Sequence, residues 1–325
     1  MKYLNHMDAK TKDRIKRWIY NPIKMLFYNS LCKTWIMLFG KKDKRKLKYE
    51  VSICLIFNNE APFLKEWIDY HLTVGVQHFY LYNNNSTDNY KTVIDSYIQK
   101  GIITLIDWPY QQAQMRAYQH CYENFRHETK WISFLDADEF ICPKYKLTIQ
   151  EWLEDFSKFP AVNIQWLIFG TNGLTEHDFS KNVIEQYHLA WNDFYYHGKC
   201  IINTRYDIAN YNTSILHHHT YMYYKIAGLK MVLPAINQFG YICTYPATWG
   251  GGRNKLKNST IQINHYYSKA WDIYASKMKK SDVFFQENPK GPMRFYRNEL
   301  PSTQPNYTIY RFLIKMKFNQ NIIKW

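Results

Sequence analysis

The chain predicts an α/β fold, a Rossmann-like doubly wound and mostly parallel sheet with a basic helical arm before it. Three observations predict this. From residue 49 onward, short apolar runs alternate four times with stretches of helical periodicity, the pattern of strand–helix repeats with right-handed crossovers. Three of those runs end in polar clusters, at 58–60, 83–88 and 136–139, where ligands of such sheets bind. With 46% hydrophobic and 18% aromatic residues in 325, the chain can build a packed core, which excludes wholesale disorder.

Taken in order, residues 50–57 form a continuous apolar run, as expected for a strand covered on both faces. A turn at 58–62 leads into a helix over 62–74, with Phe63, Leu64, Trp67, Ile68 and Leu72 on one side. The second strand spans 78–82. A helix follows over roughly 89–99, capped by Gly101, and 102–106 is the third strand. Residues 111–126 read as helix and 131–135 as the fourth strand. Beyond the acidic cluster, 147–156 predicts a helix, 161–169 a strand, 199–203 the start of another, and 268–280 a helix. The stretch 205–262 reads as loops covering the site. The organisation expected is an arm at 1–48, a domain at 49–280 and a basic, aromatic extension at 281–325.

The net charge of +15 is unevenly placed. Residues 1–48 hold 14 Lys and Arg against Asp8, Asp13 and Asp43, which is +11, and the rest carries +4. A body so nearly neutral argues against a nucleic-acid groove, so no nucleic-acid partner is expected. Ile23, Phe27, Leu31, Trp35 and Leu38 recur at helical spacing, with lysines among them that argue against a spanning segment. Basic flanks and Trp18 and Trp35 suit a helix lying on an anionic membrane surface. The competing expectation is a helix packed on the domain with a solvated linker at 41–48. Six scattered cysteines without a C-x-x-C pair suit reduced, buried thiols, and the expected location is cytoplasmic, peripheral on the inner face of the cell membrane.

Asp136 and Asp138, two apart after a buried strand, place acidic oxygens at one sheet edge. A hard cation, Mn²⁺ or Mg²⁺, accepts such ligands and keeps sites for diphosphate oxygens. The alternative is a helix N-cap with a neighbouring acid. The amides and carboxylate at 83–88 can read a nucleobase edge, or serve as a turn with Asp88 capping the following helix. His265 is the expected third metal ligand from a C-terminal segment, with His219 of the triplet at 217–219 as its competitor. Lys269, one turn after His265, is positioned to meet phosphate.

The strings F-N-N-E-A-P-F-L-K-E-W, H-F-Y-L-Y-N-N-N-S-T-D-N, W-I-S-F-L-D-A-D-E-F, W-L-I-F-G-T-N-G and I-N-H-Y-Y-S-K, in that order over roughly 49–280, together resemble glycosyltransferase family 92, of the GT-A fold. The resemblance implies a metal-dependent, inverting transferase using a UDP-sugar, commonly UDP-galactose, with a general base on the acceptor hydroxyl. By position it implies Asp136 and Asp138 at the cation and diphosphate, and Asn83, Asn85 and Asp88 near uridine, with Asn58 and Glu60 beside the donor. Glu185 matches a recurrent family acid and is the expected catalytic base, with Glu139, Glu176 and Asp178 as alternatives. Two positions depart from the family pattern: Asn83 stands where Asp is frequent, and Leu174 where a His is expected after the F-G-x-x-G turn.

The functional expectation is therefore a glycosyltransferase building a surface glycan of lipopolysaccharide or capsule type, with a glycan or glycolipid acceptor and a membrane-bound arm. Two alternatives differ in class. One is a membrane- or polyanion-binding protein on a non-catalytic scaffold. The other is a metal-dependent phosphohydrolase, disfavoured by the absence of a second acidic cluster.

Overall fold

The computed structural model describes residues 21–209, 216–218, 220–226, 228–242, 255–279 and 291–319. Four strands, β1 (Tyr49–Phe57), β2 (His78–Asn83), β3 (Ile103–Asp107) and β4 (Thr129–Phe134), form a parallel half-sheet in the order β3-β2-β1-β4. The helices Ala61–Thr73, Tyr90–Gln99 and Gln114–Phe125 connect them. This is the α/β, Rossmann-like class expected from the sequence. The strand order reverses between β1 and β4, which makes their carboxyl ends the natural ligand crevice.

The second half of the sheet is mixed. After β5 (Glu139–Pro143), β6 (Ala161–Ile168), the short β7 (Leu189–Ala190) and β8 (Gly198–Asn203) come a hairpin, β9 (Tyr221–Ile226) with β10 (Leu229–Pro234), then β11 (Ile236–Asn237), β12 (Ile261–His265) and β13 (Gln304–Pro305). The sheet continues from β4 through β8, β6 and β12 to β5, with β11 beside β6. Strand β8 runs antiparallel to both β4 and β6, and β12 runs antiparallel to β5. The hairpin and the start of β12 lie within 205–262, which the sequence reads as loops, and β5 and the rest of β12 lie where it predicts no element. Polar residues are the reason: Glu139 opens β5, and Gln262, Asn264 and His265 interrupt β12, yet all four side chains are buried.

The core takes large side chains from both sheet faces, Trp67 and Trp152 among them, each worth roughly 1.5–3 kcal/mol of burial. The expected helix at 111–126 is shorter, Gln114–Phe125, because the backbone at Gln112 turns left-handed. The expected helix at 147–156 is α-helical only over Ile149–Leu153, where the Thr148 side chain caps it, and continues as a 3₁₀ turn at Glu154–Phe156. The residues after 280 do not form a mere extension. Helices Pro292–Glu299 and Tyr310–Asn319 follow, and Ile309, Phe312, Leu313 and Met316 join the core.

The helical run at 21–39 also packs on the domain, burying Met25, Cys32 and Ile36. Part of the linker is docked as well: Asp43 is buried against Arg45, which reaches Asn203 and Thr204. Among the described residues, Cys32, Cys54, Cys121, Cys142 and Cys200 are free thiols and all are buried.

His71 illustrates how the core sets a pH response. Its Nδ1 faces the Trp67 carbonyl at 2.8 Å, and the Ile141 N–H donates to Nε2 at 3.4 Å, so the ring is held neutral. Burial pushes it down to about 3, the Trp67 bond opposing. The unfolded chain protonates this ring near its ordinary value of 6.5 while the native state does not. The associated stability is therefore complete above that value and falls as pH drops towards 3, by about 1.4 kcal/mol per unit. Thermal melts between about pH 7 and about pH 5 should show this loss, and His71→Gln should flatten the slope.

Candidate active site

Chain geometry brings two acids to the switch point and then separates them. After β4 the chain passes through buried Leu135 and turns at Asp136–Glu139, closed by the Glu139 N–H donating to the Asp136 carbonyl at 3.1 Å. Alternate residues of this turn face different partners. Asp136 Oδ2 meets Lys199 Nζ at 2.9 Å, and its Oδ1 accepts from Gln114 (3.3 Å) and Tyr118 (3.4 Å). Asp138 instead meets Lys277 Nζ at 2.6 Å through Oδ2, and His265 Nε2 at 3.5 Å through Oδ1. His265 arrives there by register, since β12 pairs β5 with His265 opposite Glu139.

Lys199 owes its place to Gly198. A Cβ at residue 198 would overlap the Ile164 carbonyl, so glycine permits the close approach of β8 to β6 that seats the following lysine. Lys199 is fully buried, which would lower its pKa, but Asp136 and Glu139 outweigh this and raise it. Glu139, 3.3 Å from Lys199, is pushed well above the carboxylate range, first by burial, with Lys199 opposing and Asp136 and Asp138 adding to the rise. Lys199 is thus held between the Asp136 and Glu139 carboxyl groups, at 2.9 and 3.3 Å.

The second aspartate sits in a cationic corner. Burial would raise Asp138, but Lys277, His265 and Lys269 hold it well below the usual carboxylate range. Lys269 is 1% exposed, has a left-handed backbone (φ 51°), and lies 4.3 Å over the Phe63 ring. Such a backbone costs about 1–3 kcal/mol in a non-glycine residue and persists only where the surroundings impose it. Its Nζ has no hydrogen-bond partner among the described residues. Burial and then Lys277 push it down to about 8, against Asp138, Glu60 and Glu66. A buried ammonium without an acceptor is a vacancy for an anion.

The donor-side amides interlock two loops. Asn58 donates to the carbonyls of Asn84 (2.5 Å) and Asn85 (3.3 Å), and Asn59 Oδ1 accepts from the Thr87 and Asp88 N–H groups. Asn83 accepts from the Ser86 N–H and donates to Tyr90 Oη and Asp107, each at 2.9 Å. Asp88 does not cap the helix that follows it. Its Oδ2 accepts from the Ala61 N–H at 2.8 Å and so holds the start of the preceding helix, Ala61–Thr73. Glu60 is the residue before that helix. A cavity of about 480 Å³ opens against Asn83, Asn85, Asp88 and Asp107, at the carboxyl ends of β2 and β3.

Of the residues singled out in the sequence, Asp138, His265 and Lys269 converge, and Asn58, Asn83, Asn85 and Asp88 share one loop cluster. Asp136 stands apart from the three-ligand set expected: its carboxylate engages Lys199, Gln114 and Tyr118. Glu185 is engaged elsewhere: it closes the capping box of helix Val183–Gln186 and pairs with Lys317, neither of which belongs to the Asp138 cluster. Among the alternatives, Asp178 is exposed, bonded to Ser180 and paired with Lys181, and the Ser180 bonds pull it down to about 2. Glu176 is exposed, and Glu139 is fully buried against Lys199. His219 and the glycines 250–252 lie outside the described residues. Lys199 and Lys277 were not anticipated from sequence. Their signals were a lysine opening a buried strand and a second lysine two helical turns after Lys269.

A divalent cation fits this corner through two protein ligands. The 3.5 Å between Asp138 Oδ1 and His265 Nε2 is near the ~3 Å between adjacent ligands of an octahedral ion with bonds of ~2.1 Å. His265 Nδ1 is buried without a partner among the described residues. Among the described residues no group of three or more His, Cys, Asp or Glu donors converges. The rest of the shell would fall to water and diphosphate oxygens, as Mg²⁺ and Mn²⁺ permit.

Comparison with known proteins bears on this site. The family model described as glycosyltransferase family 92 matches residues 48–303. A glycosyltransferase family 92 protein of Ricinus communis is 34% identical over 147 residues, covering 42% of this chain and 25% of the relative. A galactan β-1,4-galactosyltransferase of Arabidopsis thaliana is 31% identical over 139 residues, 38% of this chain and 27% of the relative. The matched stretch thus spans about a quarter of the length of these curated relatives. Among solved structures, S. aureus TarS 1–349 superposes with a TM-score of 0.30 at 14% identity, covering 40% of this chain and 38% of that one. That superposition is too loose to carry residue correspondences.

Proposed function

The chain belongs to glycosyltransferase family 92, and on that premise we propose that it moves a sugar from a UDP-sugar to a glycan or glycolipid acceptor, using Mn²⁺ or Mg²⁺. The observation that carries this reading is the corner where Asp138 and His265 face each other beside Lys277 and the orphaned Lys269. When bound, the cation would stabilise negative charge on the departing diphosphate. Asp138 and His265 would hold it. Lys269 is the residue placed to donate to a diphosphate oxygen, an anion that would satisfy its buried ammonium. Lys277 keeps Asp138 ionised and oriented. The Lys199–Asp136 pair anchors the turn from which Asp138 projects, so the corner is arranged before the donor enters. Uridine is assigned to the cavity beside Asn83, Asn85 and Asp88.

The chemistry is displacement at the anomeric carbon: its bond to the diphosphate oxygen breaks and UDP leaves as a bond to the acceptor oxygen forms, the acceptor hydroxyl giving up its proton to a general base. Galactose is the first sugar to test, in keeping with the activity named for the Arabidopsis relative. A screen of UDP- and GDP-sugars with Mn²⁺, reading release of nucleoside diphosphate, tests the proposal. Turnover with one or more UDP-sugars is expected. Hydrolysis that releases inorganic phosphate without sugar transfer would instead favour a phosphohydrolase.

A further inference from the structure

The helical run at 21–39 has two apolar faces. Inward, Met25, Cys32 and Ile36 are buried, and hydrogen bonds fix this side to the domain. Asn29 exchanges bonds with both backbone groups of Ile242 (3.0 and 2.9 Å), Lys33 donates to the Gly240 carbonyl (2.6 Å), and Lys158 donates to the Met37 carbonyl (2.6 Å). Outward, Ile23, Leu26, Phe27, Leu31, Met37 and Leu38 are each 50–69% exposed. A helix docked on a water-soluble domain ordinarily keeps its outer face polar. Here Ile23, Leu26, Phe27 and Leu31 recur at three- and four-residue spacing, and Met37, Leu38 and Phe39 follow at the helix end, an exposed apolar surface of the kind that marks an interaction site.

Charge identifies the occupant. The helix is followed at once by Lys41, Lys42, Lys44, Lys46 and Lys48, all exposed. Lys42 pairs with Glu154 at 3.8 Å and Lys48 with Glu128 at 4.0 Å, both through exposed side chains where such pairs are weak, so most of the positive field remains. An apolar stripe beside a lysine cluster matches acyl chains beneath anionic headgroups. No described helix is long and apolar enough to cross a membrane. We propose that this outward face is a docking surface for an anionic lipid bilayer, with the helix lying in the headgroup layer. Because the inward face is bonded to the segment that leaves β11, which pairs with β6, docking would fix the orientation of the whole sheet relative to the lipid plane.

The test uses the full chain, since removing residues 1–48 would strip Cys32 and Ile36 from the core. The protein is floated with vesicles of phosphatidylcholine containing phosphatidylglycerol, and with phosphatidylcholine alone. Flotation with the anionic vesicles is expected. The triple variant Leu26→Glu, Phe27→Glu, Leu31→Glu alters exposed positions only, so its melting temperature should be unchanged while its vesicle affinity falls at least about tenfold. Substituting the five lysines of 41–48 by Gln should weaken binding and remove its salt dependence. The proposal is overturned if the wild-type protein stays in solution with anionic vesicles, or if the triple variant floats equally well. It is also overturned if the wild-type protein alone forms a dimer that the triple variant dissolves, since a second copy would then cover the face. None of these readouts depends on sugar transfer.

Discussion

Asp138→Asn is expected to lower sugar transfer by about 10²–10³-fold, the scale of losing one preorganised electrostatic contact to a developing charge. The carboxylate has two duties: Oδ1 faces His265, where a cation fits, and Oδ2 holds Lys277 at 2.6 Å. Asparagine removes the charge that serves both, so the variant should also melt lower, because Lys277 loses its ion-pair partner. His265→Gln separates the two effects. It leaves the Asp138–Lys277 pair intact, so the melting temperature should hold while the metal dependence of UDP binding weakens. Steady-state release of UDP and thermal melts of both variants check this. Equal activity of Asp138→Asn and wild type would remove the site from consideration.

Lys199→Met is expected to cost stability before it costs chemistry. The lysine is fully buried between Asp136 and Glu139, and removing one member of a buried ion pair typically costs 3–5 kcal/mol. Asp136 has a partly exposed side chain and two further hydrogen-bond donors in Gln114 and Tyr118, so a loss at the low end of that range, about 3 kcal/mol, is expected. Urea denaturation would show this as a lower midpoint at unchanged slope. The double variant Lys199→Met, Asp136→Asn should recover part of the loss, because no unpaired charge remains. A single variant as stable as wild type would mean that the pair does not anchor the turn.

Much of this was legible in the sequence, for a physical reason. The parallel half-sheet announces itself because its strands are apolar on both faces and its crossovers have helical periodicity, so β1 to β4 were anticipated closely. The second half did not announce itself because its strands carry buried polar residues. Glu139 opens β5 and His265 closes β12, and local pattern reads such residues as turn. Their burial follows from pairing partners far away in sequence, Glu139 opposite His265 and β8 against β4. The same holds for the site. Asp138 and His265 were anticipated from local strings, whereas the lysines that divide the two aspartates between different partners were not, since Lys199 and Lys277 lie 63 and 139 residues from them. Glu185 shows the converse: a string placed it among the catalytic candidates, but three dimensions put it in a helix cap. The arm yields a third lesson, because a packed helix and a lipid-facing helix need not exclude each other when both faces are apolar.

Calorimetric titration of UDP into the full-length protein, with and without Mn²⁺, bears most directly on the site assigned to Asp138, His265 and Lys269. Binding is expected with Mn²⁺, lost on chelation, and strongly weakened in both His265→Gln and Lys269→Met. UDP binding of equal strength without metal and in both variants, or no UDP binding at all, would contradict the assignment.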